Sequence, residues 1–171
     1  MKMRIEAGSC AEPVQDAIRL IYARARVACH LVDVASLPCD EFAYPGTLRD
    51  ALIEAVLDGS KTTTTSLLEE YRRAHESIRP VGTLSVPIDS GGRPVCVLRQ
   101  MAIRICRIDE VGAAHARHEG EGFRDVASWR RAHEGFWSSD EFLDGIGTRD
   151  LRITDSTEVV CERFALVQRL R

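Results

Sequence analysis

The chain has 171 residues, 44% of them hydrophobic and 29% charged, a balance that suits one globular domain with a sizeable core and excludes disorder along its whole length. The net charge of -3 argues against a broad basic surface for long duplex nucleic acid, because such affinity comes largely from neutralising phosphates. A small substrate, or a short RNA segment held in a local basic groove, fits that charge better.

The opening Met1-Lys2-Met3-Arg4 is basic, but Glu6, Gly8, Ser9 and Glu12 come next and no apolar signal region forms. No apolar run approaches the ~18 residues of a membrane span. The cysteines Cys10, Cys29, Cys39, Cys96, Cys106 and Cys161 include no CxxC pair. The expectation is a cytoplasmic protein without membrane association, whose reduced thiols pack as small core hydrophobes.

Residues 1–11 read as a frayed terminus. Val14, Ile18, Ile21 and Tyr22 recur at helical spacing and predict a helix over 12–37. Arg19, Arg24 and Arg26 on it read either as a solvated face or as a phosphate-facing surface. Residues 1–40 are thus expected to form an N-terminal helical extension. Residues 38–46, with Pro38, Pro45 and Gly46, form a connector. Thr47 is then a good N-cap, with Asp50 three residues on in the capping-box place. Leu48, Ala51, Leu52, Ala55 and Val56 predict one apolar helix face, and Gly59 sits where a left-handed C-terminal residue is wanted.

Lys61-Thr62-Thr63-Thr64-Thr65-Ser66 comes next, β-branched and extended. A short helix is expected over Leu67–Glu76 and a strand over Gly82–Asp89. A turn at Ser90-Gly91-Gly92 leads into a long strand or a bent pair over Pro94–Arg107. Helices are expected over Asp109–His118 and Asp125–Trp137, separated by Gly120-Glu121-Gly122, and a last strand over Glu158–Gln168. Strands joined by hairpins, with interspersed helices, give an α+β fold around a small barrel.

The stretch from Gly59 to Ser66 carries the chemistry. Alternation puts Thr62, Thr64 and Ser66 on one side and Lys61, Thr63 and Thr65 on the other, and a turn at the strand start would let Lys61 swing beside Thr64. A sheltered lysine can act as a base, and a hydroxyl becomes a useful nucleophile beside one. On spacing alone, an ordinary exposed strand, with Lys61 complementing the helix dipole, is the stronger reading of the same residues. A phosphate-binding P-loop is excluded, because Ser60 separates Gly59 from Lys61.

Gly59-x-Lys61-x-x-Thr64-x-Ser66 resembles the GxKxxTx(S/R) signature of ASCH domains. The resemblance extends to the helix Leu48–Asp58, the strand Val81-Gly82-x-Leu84-x-Val86, and the segment Gly91-Arg93-Pro94-Val95-Cys96. It continues through Glu119-Gly120-Glu121-Gly122, Ser128-Trp129-Arg130-x-x-His133, Phe136-Trp137 and Val160-Cys161-Glu162-Arg163-Phe164. It covers about residues 42–169, so the domain is expected to span 41–171.

The resemblance implies a PUA-like small β-barrel with flanking helices and a cleft lined by the Gly-x-Lys loop. It also implies association with RNA or modified nucleosides. Some small bacterial members deacylate N4-acetylcytidine with a lysine, a threonine and a glutamate, and another is described as a ribonuclease. The lysine and threonine carry over to Lys61 as base and Thr64 as nucleophile. His115-Ala116-x-x-Glu119 resembles the segment holding the glutamate, so Glu119, or failing it Glu121, would orient Lys61 or shuttle a proton. The smallest amidohydrolases carry Arg where this chain has Ser66, and they are much shorter; this chain resembles a longer subclass more.

Tyr44, Gly59, Ser60, Ser66, Glu121, Trp129 and Arg130 are the candidate substrate-binding residues. Amides after Gly59 would stabilise an oxyanion. Gly120 and Gly122 would let backbone approach a ligand closely. Trp129, Phe136 and Trp137 read as core at helical spacing or as stacking platforms for bases. Tyr44 lines the cleft or staples the nearby helix. His115, His118 and His133 lack metal-ligand spacing, so no metal and no cofactor is expected. The expected activity is hydrolysis of a modified pyrimidine nucleoside or RNA, N4-acetylcytidine being the most concrete substrate. The alternative is an RNA-binding module or ribonuclease that takes single-stranded RNA in the same cleft.

Overall fold

A computed structural model describes residues 33–171. Residues 12–32 of the expected first helix, with Arg19, Arg24 and Arg26, lie outside the described residues, as do Cys10 and Cys29. The first described element is a single 3-10 turn, Val34–Ser36, capped by the Asp33 carboxylate.

Strands are β1 (Cys39–Asp40), β2 (Thr63–Leu67), β3 (Leu84–Pro87), β4 (Cys96–Arg107) and β5 (Glu158–Arg169), and helices are α1 (Thr47–Asp58), α2 (Leu68–Arg73), α3 (Ala113–His118), α4 (Val126–Trp137) and α5 (Asp140–Gly145). They build one mixed sheet in the order β1-β3-β4-β5-β2. All its pairings are antiparallel except β1 with β3. The α+β class therefore holds, but among the described residues the sheet is open rather than a closed barrel. The short β1 and the strand β2 are its two edges and do not pair with each other.

Gly59 ends α1 at φ 86, as its position predicted. The other end differs: Gly46 is the N-cap and Thr47 already helical, while the Asp50 carboxylate accepts from the amide of Ser90. The apolar face is also rotated. Leu52, Ile53, Val56 and Leu57 are buried, and Leu48 is exposed. The reason is Arg49, which is buried and donates to the Ala43 carbonyl from Nε at 3.1 Å and Nη2 at 2.7 Å, and to Glu41 at 2.7 Å. That clasp holds Ala43 at φ 57 and turns the connector inward, so that Phe42 is fully buried.

Between β4 and β5 the chain forms a 3-10 turn at Ile108–Glu110, then α3, α4 and α5; α5 carried no periodic signal. Phe42, Leu52, Ile53, Val56, Leu98 and Phe164 form one core, under α1. Leu67, Ile108, Ala116, Trp129, Trp137, Phe142 and Val159 form a second, under α3, α4 and α5. Cys96, Cys106 and Cys161 are buried free thiols, and burial pushes the Cys96 thiol up to about 12. No helix among the described residues is long and apolar enough to cross a membrane.

Candidate active site

Strand β2 is a sheet edge, yet all five of its residues are buried. That decides against an ordinary exposed strand. Alternation sends its hydroxyls to two sides. Thr63 donates to the His115 carbonyl at 2.9 Å, and Thr65 to Glu119 Oε1 at 2.6 Å, so these two face α3. Thr64 points the other way. It lies opposite Glu162 in the ladder with β5, on the face that also carries Phe164. Phe42 packs on Phe164 with ring centroids 5.9 Å apart.

Lys61 sits at the mouth of β2, where both faces meet. Its ammonium lies 5.6 Å from the centre of the Phe42 ring on one side. On the other it donates to the Glu119 carbonyl at 3.0 Å and to Glu121 Oε1 at 3.2 Å, with Glu119 Oε2 at 3.6 Å. Its side chain is wholly buried, as is that of Glu119, while Glu121 keeps 14% exposure. Lys61 thus meets the Glu119 segment, 58 residues on, a pairing that the resemblance implied and spacing could not show.

The glycine next to Glu119 makes this meeting possible. Gly120 has φ +70, and a Cβ there would stand 2.7 Å from the Lys61 nitrogen and 2.8 Å from its Cα. The close approach is thus backbone to backbone, whereas Gly122 has open space around it. Thr62 completes the junction by donating its amide to the His118 carbonyl at 2.7 Å.

Glu119 is the hub. Besides Thr65, it accepts from Trp129 Nε1 at 2.9 Å; His115 Nε2 and His133 Nε2 each stand 3.3 Å from its oxygens. Burial alone would raise its pKa. The positive charge of Lys61 and the hydrogen bond from His115 are among the causes that hold it well below its ordinary range. Donors on every side keep this carboxylate ionised and its direction set.

The remaining candidates divide. Trp129 is fully buried and serves Glu119, so it takes the core role and offers no face to a base. Arg130 pairs with Glu134 at 2.7 Å and Asp155 at 2.6 Å. Tyr44 packs on Phe136 and donates to the Glu141 carbonyl at 2.9 Å, tying the connector to α5. Ser66 is buried on the Thr64 side by alternation. The amides after Gly59 are all engaged: Ser60 donates to Asp58, Lys61 to Ala55 and Thr62 to His118. The expected oxyanion hole is therefore absent from that turn. His118 is exposed, and among the described residues no three His, Cys, Asp or Glu side chains form a metal-holding group.

Sequence reasoning overlooked the Thr64 face. Glu162 is 1% exposed, and Arg79 is ion-paired with Asp40 on β1, the other edge strand of the sheet. The signal for Glu162 was a charged residue at a core-facing position of the apolar strand Val159–Phe164. Arg79 lies in an irregular loop and gave none.

A family model described as ASCH domain matches residues 39–168. The chain belongs to the ASCH domain family. The family is PUA-like, and two solved structures share this fold. Protein EF3133 from Enterococcus faecalis V583 superposes with a TM-score of 0.70 at 20% identity, covering 91% of this chain and 90% of its own. The ASCH domain from Lactobacillus crispatus JV V101 gives 0.69 at 22% identity, covering 94% and 98%. At such identities the likeness establishes the fold, and the chemistry rests on the site. No curated protein matches the chain.

Proposed function

We propose that this ASCH domain is a hydrolase of a modified pyrimidine nucleoside, free or within RNA, and that it removes the acyl group from an N4-acylated cytosine. One observation carries the reading. The Thr64 hydroxyl is fully buried and has no hydrogen-bond partner among the described residues. An unsatisfied buried hydroxyl costs on the order of 1–3 kcal/mol. A substrate that meets this hydroxyl removes the cost on binding, and Lys61 stands at the same end of the strand.

In the proposed step the Thr64 proton passes to the Lys61 amine as Oγ bonds to the acyl carbon. For this Lys61 must first hand its own proton to Glu121, its partly exposed neighbour. Collapse breaks the bond from carbon to N4, and N4 takes the proton back from Lys61. Water then hydrolyses the Thr64 ester, releasing the acid. Glu119, saturated with donors, keeps Lys61 in place, and the Lys61 ammonium balances the developing oxyanion.

The experiment is chromatography of N4-acetylcytidine incubated with the purified chain. Cytidine from the native protein and none from Thr64→Val supports the reading. Equal turnover by both excludes Thr64 as nucleophile. Absence of cytidine in both, with cleavage of a short single-stranded RNA, moves the activity to a ribonuclease in the same cleft.

A further inference from the structure

His133, on α4, is a buried titratable side chain beside the site that the proposed step leaves unused. Both of its ring nitrogens meet acceptors. Nδ1 stands 2.9 Å from the Trp129 carbonyl oxygen, which can only accept, so Nδ1 carries a proton. Nε2 makes no hydrogen bond among the described residues, yet Glu119 Oε2 stands 3.3 Å from it. A bare lone pair there would face a carboxylate in a dry interior and be repelled. A proton on Nε2 turns the same contact into an attraction. The rings around His133 favour a cation as well. The centroids of Trp129, Trp137 and Phe123 lie 4.5, 5.1 and 5.9 Å from its own, and the Trp129 ring is tilted only 34° from it, so that it presents its face. Aromatic faces within about 6 Å attract a positive charge, tryptophan most strongly.

We propose that His133 is held as an imidazolium, the positioning cation that stays beside Glu119 when Lys61 gives up its own charge. The charge follows from the geometry, and its role rests on the hydrolase reading. In the proposed step Lys61 hands a proton to Glu121 and turns neutral. That withdraws one positive charge from Glu119 Oε2, 3.6 Å away, and leaves another in place at 3.3 Å. Glu119 and His133 then remain as a matched buried pair, which spares the carboxylate much of the cost of losing Lys61. Among the described residues the titratable groups that meet this carboxylate are Lys61 before β2, His115 from α3 and His133 from α4, with Glu121 beyond Lys61.

Nitrogen NMR of the full-length protein carrying nitrogen-15 histidine reads the charge at pH 7. The His133 ring is the signal that survives substitution of each of the other histidines. It is expected to show protonated shifts at both nitrogens, and one bare nitrogen overturns the proposal. In Glu119→Gln the ring is expected to lose the Nε2 proton and keep the one on Nδ1. Retention of both overturns the part given to Glu119. Catalysis is read separately, as turnover of N4-acetylcytidine against pH. Without the imidazolium, Glu119 holds Lys61 as an ammonium more firmly. The pH of half-maximal turnover in His133→Gln is therefore expected to rise by about one unit, with KM within about twofold of native. An unmoved profile in folded His133→Gln, or a loss confined to KM, overturns the positioning role. Absence of turnover in the native protein sinks the hydrolase reading, and the imidazolium then stands or falls by the ring-nitrogen spectrum.

Discussion

Replacing Gly120 by Ala is expected to damage the site more than replacing Gly122, though both glycines have nearly the same backbone conformation. Their φ angles are +70 and +74. A left-handed residue with a Cβ costs about 1–2 kcal/mol, and Gly122→Ala should lose only that, since nothing lies within 4 Å. In Gly120→Ala the new methyl meets the Lys61 nitrogen at 2.7 Å, Lys61 Cα at 2.8 Å and the Ser60 carbonyl carbon at 2.8 Å. These are backbone atoms that cannot rotate away, so an overpacking cost of about 1–3 kcal/mol adds to the first. The totals are about 1–2 and about 2–5 kcal/mol, or, at roughly 2–4 °C per kcal/mol, Tm losses of about 2–8 °C and about 4–20 °C. Thermal unfolding of both variants beside the native protein measures the difference. Equal losses would refute the account of how Glu119 is brought to Lys61.

Thr64→Val removes a buried hydroxyl without a partner while keeping its shape, so stability should hold or rise by about 1 kcal/mol; a denaturant titration showing a clear loss would mean that the hydroxyl is satisfied structurally. Glu119 is held below its ordinary pKa by the fold, so its contribution is fully present above about 4.5 and is lost as pH falls below that value. Tm measured from pH 7 down to 3 should drop on the acid limb, and a Glu119→Gln variant, already less stable at pH 7, should drop less; parallel limbs would contradict the ionised hub. Arg49→Met leaves Glu41 and the Ala43 carbonyl without their buried partner and should cost about 3 kcal/mol, seen as a Tm lower by roughly 6–12 °C. A loss within about 2 °C would show that the clasp does not hold the connector.

Local rules foresaw the parts of the fold that local rules control. Gly59 ended its helix because a left-handed residue was needed there, and the turn at Ser90-Gly91-Gly92 came from its residues. Periodicity misplaced the face of α1 because it counted Leu48 as core and passed over Arg49, which three hydrogen bonds hold in the interior. The pairing of Lys61 with Glu119 was legible only through the resemblance, because spacing cannot show that residues 58 apart meet. The part played by Thr65 was visible in principle, since it alternates with Lys61 and Thr63. The motif drew attention to Thr64 instead. Trp129 and His133 were weighed as base platform and metal ligand, but they surround a buried carboxylate whose position no local pattern reveals.

The central claim is that the unpartnered Thr64 hydroxyl is the attacking group. Mass spectrometry of the protein after rapid acid quenching with excess N4-acetylcytidine tests it most directly. The account predicts an added acetyl group on the peptide carrying Thr64, accompanied by free cytidine, and neither with Thr64→Val. Cytidine release by Thr64→Val at the native rate would contradict it.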